Sequence, residues 1–208
     1  MGATRRPAPT VKDFRLFELE RIAAAALAGA PQCLKGLRVD IERLILEKHQ
    51  LRIEAFHDLK RRWDTYAFID TTAKVVFVDA ELMDSDRLEK KYRFTLAEEL
   101  AHFLIHQPVF SHCRTVEDRL ALEKQFDDLT RDRLESNARA LASALLIPKA
   151  TIELRVEELA RKLVDEQRHI LVEELIAVIG RDYDVNFNAA KHRLRNLGYR
   201  RRLDLDLQ

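Results

Sequence analysis

Apolar residues recur at helical spacing along most of this chain, with one interruption where the period shortens to that of a strand. Residues 14–28 carry Phe17, Ile22, Ala25 and Leu27 on an imperfect apolar face, and Gly29-Ala30-Pro31 stops the helix that this face predicts. Asp40 is placed to cap a second helix over residues 41–49, with Ile41, Leu44 and Ile45 inward. Residues 51–55 read either as a strand or as more of that helix. Residues 65–70 and 74–79 read as two strands around an Asp70-Thr71-Thr72-Ala73 turn. Residues 93–106 then predict a helix ended by Pro108. Its stripe is Leu96, Leu100, Phe103 and Leu104, with Ala97 and Ala101 at the edge.

Beyond Pro108, Thr115 followed by Asp118 signals a cap, and leucines run on toward Pro148. Arg119, Glu123, Lys124, Asp127, Asp128, Arg131, Asp132 and Arg133 read as a solvated helix face. A break near Asp132 is what would swing Glu135 toward His102. Thr151 is expected to cap a helix running to Ile179, with Gly180 ending it. Asn188 is expected to cap a last short helix, closed by Gly198. The pattern predicts an α+β fold: a mostly helical domain with a small antiparallel sheet beside the 93–106 helix. Residues 1–11 read as a flexible tail and 12–208 as a single domain with a short basic helical segment at 185–202.

The 93–106 helix carries the strongest chemical signal. Glu98, His102 and His106 are four residues apart and stack along one face, with Glu99 beside them. Metal ligands at i and i+4 with a glutamate between them are the frame of the zinc peptidase helix His-Glu-x-x-His. Here that frame reads Glu98-Glu99-Leu100-Ala101-His102, with glutamate at the first histidine position.

The run Arg93-Phe94-Thr95-Leu96-Ala97-Glu98-Glu99-Leu100-Ala101-His102 resembles the active-site helix of the ImmA/IrrE family of zincin-like proteins, apart from Glu98. Glu135, Ala138, Ala142, Leu145, Leu146 and Pro148 match that family's later motif in register, whereas Arg139 stands where the family has Asn, Leu141 where it has Phe, Ser143 where it has Ala and Ile147 where it has Met. Residues 185–199 resemble the closing segment of the family, a short helix ending in Arg193-Leu194-Arg195-Asn196-Leu197-Gly198. The resemblance runs from about residue 35 to residue 200. It implies a zincin-like metallopeptidase that cleaves or inactivates a regulatory DNA-binding protein, in a phage, mobile-element, stress or toxin–antitoxin setting. Glu99 would be the general base, and Glu98, His102 and Glu135 the metal ligands, with zinc the implied metal.

Each assignment has a rival in the residues themselves. Thr95-x-x-Glu98 is also a capping box, which would turn Glu98 into the helix start and away from a metal. His106 is either a replacement ligand or a C-terminal partner of the helix dipole. A site of two carboxylates and one imidazole leans from zinc toward iron or manganese, and makes bound water a weaker acid. The alternative function is therefore a catalytically inactive member of the same fold, without metal, acting as a protein-interaction or regulatory module. A ferritin-like di-iron bundle is a further reading, from Glu54-x-x-His57, Glu99-x-x-His102 and Glu166-x-x-His169.

Composition narrows the classes. The 208 residues are 47% apolar and 34% charged, with a formal net charge of +1, so no global field drives the chain to DNA or membrane. The basic segment with Lys191, His192, Arg193, Arg195 and Arg200–Arg202 leaves nucleic-acid contact open, or packing on the domain body. Cys33 and Cys113 fit neither a metal spacing nor a disulfide framework, and read as free thiols of a cytoplasmic protein. No apolar run is long enough to span a membrane.

Overall fold

The computed structural model describes residues 10–165 and 171–199. Helix α1 (Leu16–Leu27) leads into a two-stranded ribbon, β1 (Leu34–Lys35) and β2 (Arg38–Val39). Helix α2 (Ile41–Arg43) continues as a wider π turn over Leu44–Lys48. The Asp40 carboxylate caps it as expected, accepting from the Arg43 N–H at 3.1 Å. Next come β3 (Arg52–Phe56), the short α3 (Leu59–Trp63), β4 (Ala67–Asp70), β5 (Val75–Asp79) and α4 (Ala80–Met83). The long helix α5 (Glu89–Phe110) is followed by α6 (Val116–Glu123) and α7 (Asp128–Leu146). Helices α8 (Lys149–Asp165), α9 (Val172–Asp182) and α10 (Phe187–Asn196) complete the described chain.

Residues 51–55 resolve as a strand, and the sheet is mixed. β4 and β5 form the expected antiparallel hairpin, while β3 lies parallel to β5 and the order is β3-β5-β4. The reason lies in β5. Val75, Val76 and Val78 are fully buried, which suits a central strand, whereas β3 has only exposed and half-buried positions and suits an edge. The Asp70 carboxylate holds the β4–β5 turn by accepting from the amides of Thr72 (2.9 Å) and Ala73 (2.8 Å). Thr71 and Thr72 donate to the carbonyls of Phe110 and Ser111, so this turn is pinned to the end of α5 and β4 runs beside it.

Helix α5 begins at Glu89 and passes through Pro108 to Phe110. The proline sits in the last turn, where it forfeits a single intrahelical bond, so it does not stop the helix. The extension is used: Phe110 is fully buried and its ring meets His102 edge-on at 5.3 Å. The apolar stripe is inward as expected, with Leu96, Leu100, Ala97 and Ala101 at 0% exposure. Burying Leu96 and Leu100 contributes about 2 kcal/mol each. The opposite face is also buried, against β4, α6 and α7, so α5 is a central helix rather than a two-faced surface one. Arg93 is buried as well, donating to the carbonyls of Tyr183 and Asp184 and tying α5 to the end of α9.

The later helices shift from their expected limits. A capping box of Thr115 and Asp118 starts α6 as predicted, but the break falls at residues 124–127, where Asp127 caps α7. The expected helix 151–179 is two helices, and α8 already begins at Lys149. Gly180 lies inside α9, because a Cβ there would press the Val185 carbonyl oxygen at 3.3 Å. Asn186, not Asn188, caps α10, accepting from the Ala189 N–H at 2.8 Å. Gly198 closes the segment at φ +78°. Of the expected tail, Thr10 and Val11 are described, and Val11 is buried in a small cluster with Phe110 and Leu134. Cys33 and Cys113 are buried free thiols. Among the described residues no helix is long and apolar enough to cross a membrane.

The di-iron bundle does not form. Glu54 belongs to strand β3, so it cannot present a Glu-x-x-His helix face. Glu166 and His169 lie outside the described residues.

Candidate functional site

Helices α5 and α7 pack directly against each other, and their contact builds the site. Since α7 starts at Asp128, Glu135 is two turns in and faces α5. Its Oε1 lies 3.8 Å from His102 Nε2. Glu98, Glu99, His102 and Glu135 all line one cleft of about 670 Å³, closed on the other sides by residues 63–68, which lead from α3 into β4, and by Val116, Arg119 and Glu123 of α6. The capping box of Thr95 and Glu98 is not made, because α5 begins six residues before Thr95. Glu98 is thus free to face the cleft.

His106 lies a turn short of the end of α5 and stands beside His102. Its Nδ1 lies 3.0 Å from His102 Nδ1 in a buried contact one turn along the helix. With the His102 proton on Nδ1, that ring donates to His106 and leaves its Nε2 lone pair toward Glu135. Burial holds His102 neutral, well below its usual pKa, helped by the positive charge of Arg119. Burial likewise lowers His106, to about 4. A neutral imidazole is the ligating form.

The carboxylates respond in the opposite sense. Burial, then the charges of Glu99 and Glu135, push Glu98 up to about 7. Burial pushes Glu99 to about 7 against the pull of Arg119. Burial also raises Glu135. The site therefore crowds three acids that disfavour one another's charge.

Two arginines answer that crowding; the sequence pattern placed Arg119 on a solvated helix face and marked Arg139 only as a departure from the family's Asn. Arg119 is buried over the Phe110 ring at 3.9 Å. It donates to Glu123 at 2.6 Å and stands 3.9 Å from Glu99 Oε2. Burial works against its charge, but Glu99 and Glu123 outweigh this and raise its pKa. Glu99 Oε2 itself has no hydrogen-bond partner among the described residues. Arg139 lies between Glu98 and Glu135, at 3.5 Å and 3.6 Å. The i,i+4 spacings of Arg119 with Glu123 and of Glu135 with Arg139 were the available signal in the sequence.

The donor set meets a divalent metal part of the way. Two donors of one tetrahedral zinc, each about 2.1 Å from it, stand about 3.4 Å apart. His102 Nε2 and Glu135 Oε1, at 3.8 Å, are close to that spacing. Glu98 offers a third ligand, from the same helix face as His102, but Arg139 engages it. No group of three histidine, cysteine or acidic side chains converges as a ready site among the described residues.

The basic C-terminal segment packs on the domain. Arg193 is fully buried, donating to the Ile147 carbonyl at 2.8 Å and to both oxygens of Glu20. Arg200–Arg202 lie outside the described residues.

Comparison with known proteins agrees with this geometry. No curated protein matches the chain. The Peptidase_M78 family, described as the IrrE N-terminal-like domain, matches residues 41–195, a span that runs from the first turn of α2 through the cleft to the anchored α10. A helix bearing Glu99 and His102, a carboxylate brought to it from α7 and a sheet edge along the cleft are thus set in a chain that belongs to the Peptidase_M78, IrrE N-terminal-like family of zincin-like metallopeptidases.

Proposed function

We propose that the chain is a metallopeptidase that cuts, and so inactivates, a regulatory DNA-binding protein of the kind that controls phage, mobile-element, stress or toxin–antitoxin genes. The observation that carries this reading is the approach of His102 Nε2 to Glu135 Oε1 at 3.8 Å, in a cleft that also holds Glu98 and Glu99. Glu98, His102 and Glu135 would hold the metal, zinc by family and iron or manganese by the carboxylate content of the set. When bound, the metal would polarise the scissile carbonyl and acidify water.

The remaining work falls to the chain itself. Glu99 is the general base: it takes a proton from the attacking water and returns it to the leaving amine. Its elevated pKa, near 7, suits both halves of that exchange. Arg119 keeps the buried Glu99 carboxylate in place from 3.9 Å. Ala67 and Phe68 bring the start of β4 to the cleft, where its outer edge would meet an extended peptide. His106 keeps the His102 ring in the orientation that presents Nε2.

The contacts of Arg139 favour the second reading, an inactive member of the fold that binds a regulator without cutting it. Elemental analysis of protein purified without added metal or chelator separates the two, with His102→Ala as the control. About one metal per chain, lost in His102→Ala, supports the peptidase. Glu99→Gln should then keep the metal while slowing cleavage of a repressor substrate by on the order of 100-fold or more. A metal-free wild type that leaves repressors intact refutes the peptidase and favours the binding module.

A further inference from the structure

We propose that Arg139 is an internal counter-cation that holds the metal site in its empty form, so that metal loads only in competition with this arginine. The inference rests on the reading of Glu98, His102 and Glu135 as the ligand set. Two different nitrogens of one guanidinium serve the two carboxylates: Nε lies 3.5 Å from Glu98 Oε1 and Nη2 lies 3.6 Å from Glu135 Oε2. Arg139 thus bridges α5 and α7 across the mouth of the site, where a shared cation would bridge them.

Charge makes the two cations mutually exclusive. Glu98 and Glu135 supply two negative charges beside a neutral His102. A divalent ion cancels them alone, and a guanidinium left beside it would be repelled. The arginine is also built to leave. Both contacts are longer than the 2.7–2.9 Å or so of a charge-assisted hydrogen bond, and its side chain is 62% exposed. Exposed pairs of this kind are weak, so breaking them is cheap.

A place to go is present. Arg139 lines the metal cleft and also an adjoining groove of about 710 Å³ between α1, α7 and α10. Asp13 and Asn188 line that groove and offer oxygens to a displaced guanidinium. The site therefore has two cationic states: Arg139 inward without metal, and Arg139 in the groove with metal.

The test is zinc affinity, measured by competition with a chromogenic chelator, on wild type, Arg139→Gln and Arg139→Lys. Melting temperatures are taken in chelator and in excess zinc chloride. Position 139 is exposed, so neither variant threatens folding. Arg139→Gln should bind zinc on the order of tenfold more tightly than wild type, the scale set by two exposed ion pairs. Arg139→Lys, which keeps the charge, should stay near wild type. Arg139→Gln should melt below wild type in chelator and above it in excess zinc, a crossing that a merely structural role would not produce. Equal affinities for wild type and Arg139→Gln overturn the proposal and leave the metal reading standing. Tightening by Arg139→Lys equal to that by Arg139→Gln overturns it too, because charge would not be the cause. Zinc binding by none of the three overturns this proposal together with the metallopeptidase reading.

Discussion

Removing the Arg193 guanidinium tests whether α10 is part of the domain or a detachable basic arm. Arg193 is fully buried and joins three elements. Its Nε donates to the Ile147 carbonyl at the end of α7 at 2.8 Å, and its Nη atoms grip the Glu20 carboxylate of α1, one of them at 2.9 Å. Alanine would leave that carbonyl and a Glu20 side chain only 14% exposed without these partners, and would open a cavity as well. Breaking a buried, hydrogen-bonded charge pair from one side costs about 3–5 kcal/mol. For a chain of 208 residues, each kcal/mol moves the melting midpoint by roughly 2–4 °C, so Arg193→Ala should melt about 6–20 °C lower. Reversible thermal and urea unfolding followed by circular dichroism measures this. Glu20→Ala should cost less, and the double variant should cost little more than Arg193→Ala, because both remove the same interaction. A loss under about 1 kcal/mol for Arg193→Ala would refute the anchoring argument, since a buried pair cannot be released so cheaply.

Two further outcomes follow from other contacts. His106→Ala should weaken zinc binding by about 10–100-fold, because it frees the His102 ring without touching a ligand; unchanged affinity in a zinc competition titration would contradict the positioning role. On the acid side, the amides of Arg114 and Thr115 hold the Asp118 carboxylate below its usual pKa. Its folded value is lower than its unfolded one, so its contribution is present at neutral pH and lost as pH falls below about 4. Unfolding curves taken from pH 6 to pH 3 should therefore be less pH-dependent for Asp118→Asn than for wild type, and identical slopes would count against the capping role.

Parts of this site were legible in the residues alone. The i, i+4 ladder of Glu98, His102 and His106 with Glu99 alongside depends only on the helical repeat. Asp40 and the Thr115–Asp118 box were readable because a cap acts within four residues. The Thr95–Glu98 box misled for the same reason. It has the right local spacing, but packing carries α5 back to Glu89 and leaves Thr95 in mid-helix. Local pattern also made Arg119 look like a surface charge and gave Arg139 no role in the site. Their neighbours Glu99 and Glu98 are 20 and 41 positions away in the chain, beyond the reach of any periodicity.

By itself, the order of apolar and polar residues determined a mostly helical α+β chain with a β4–β5 hairpin and one helix rich in acid–base groups. Local hydrogen bonding and periodic burial act over a turn or a strand, so they are written in neighbouring residues. Only the tertiary structure decided that β3 would join β5 in parallel, that Arg193 would become a core residue, and that Glu135 would meet His102. It alone set Arg139 between Glu98 and Glu135. Those outcomes depend on which surfaces pack together, and α5 and α7 meet there because each buries apolar area that neither could bury alone.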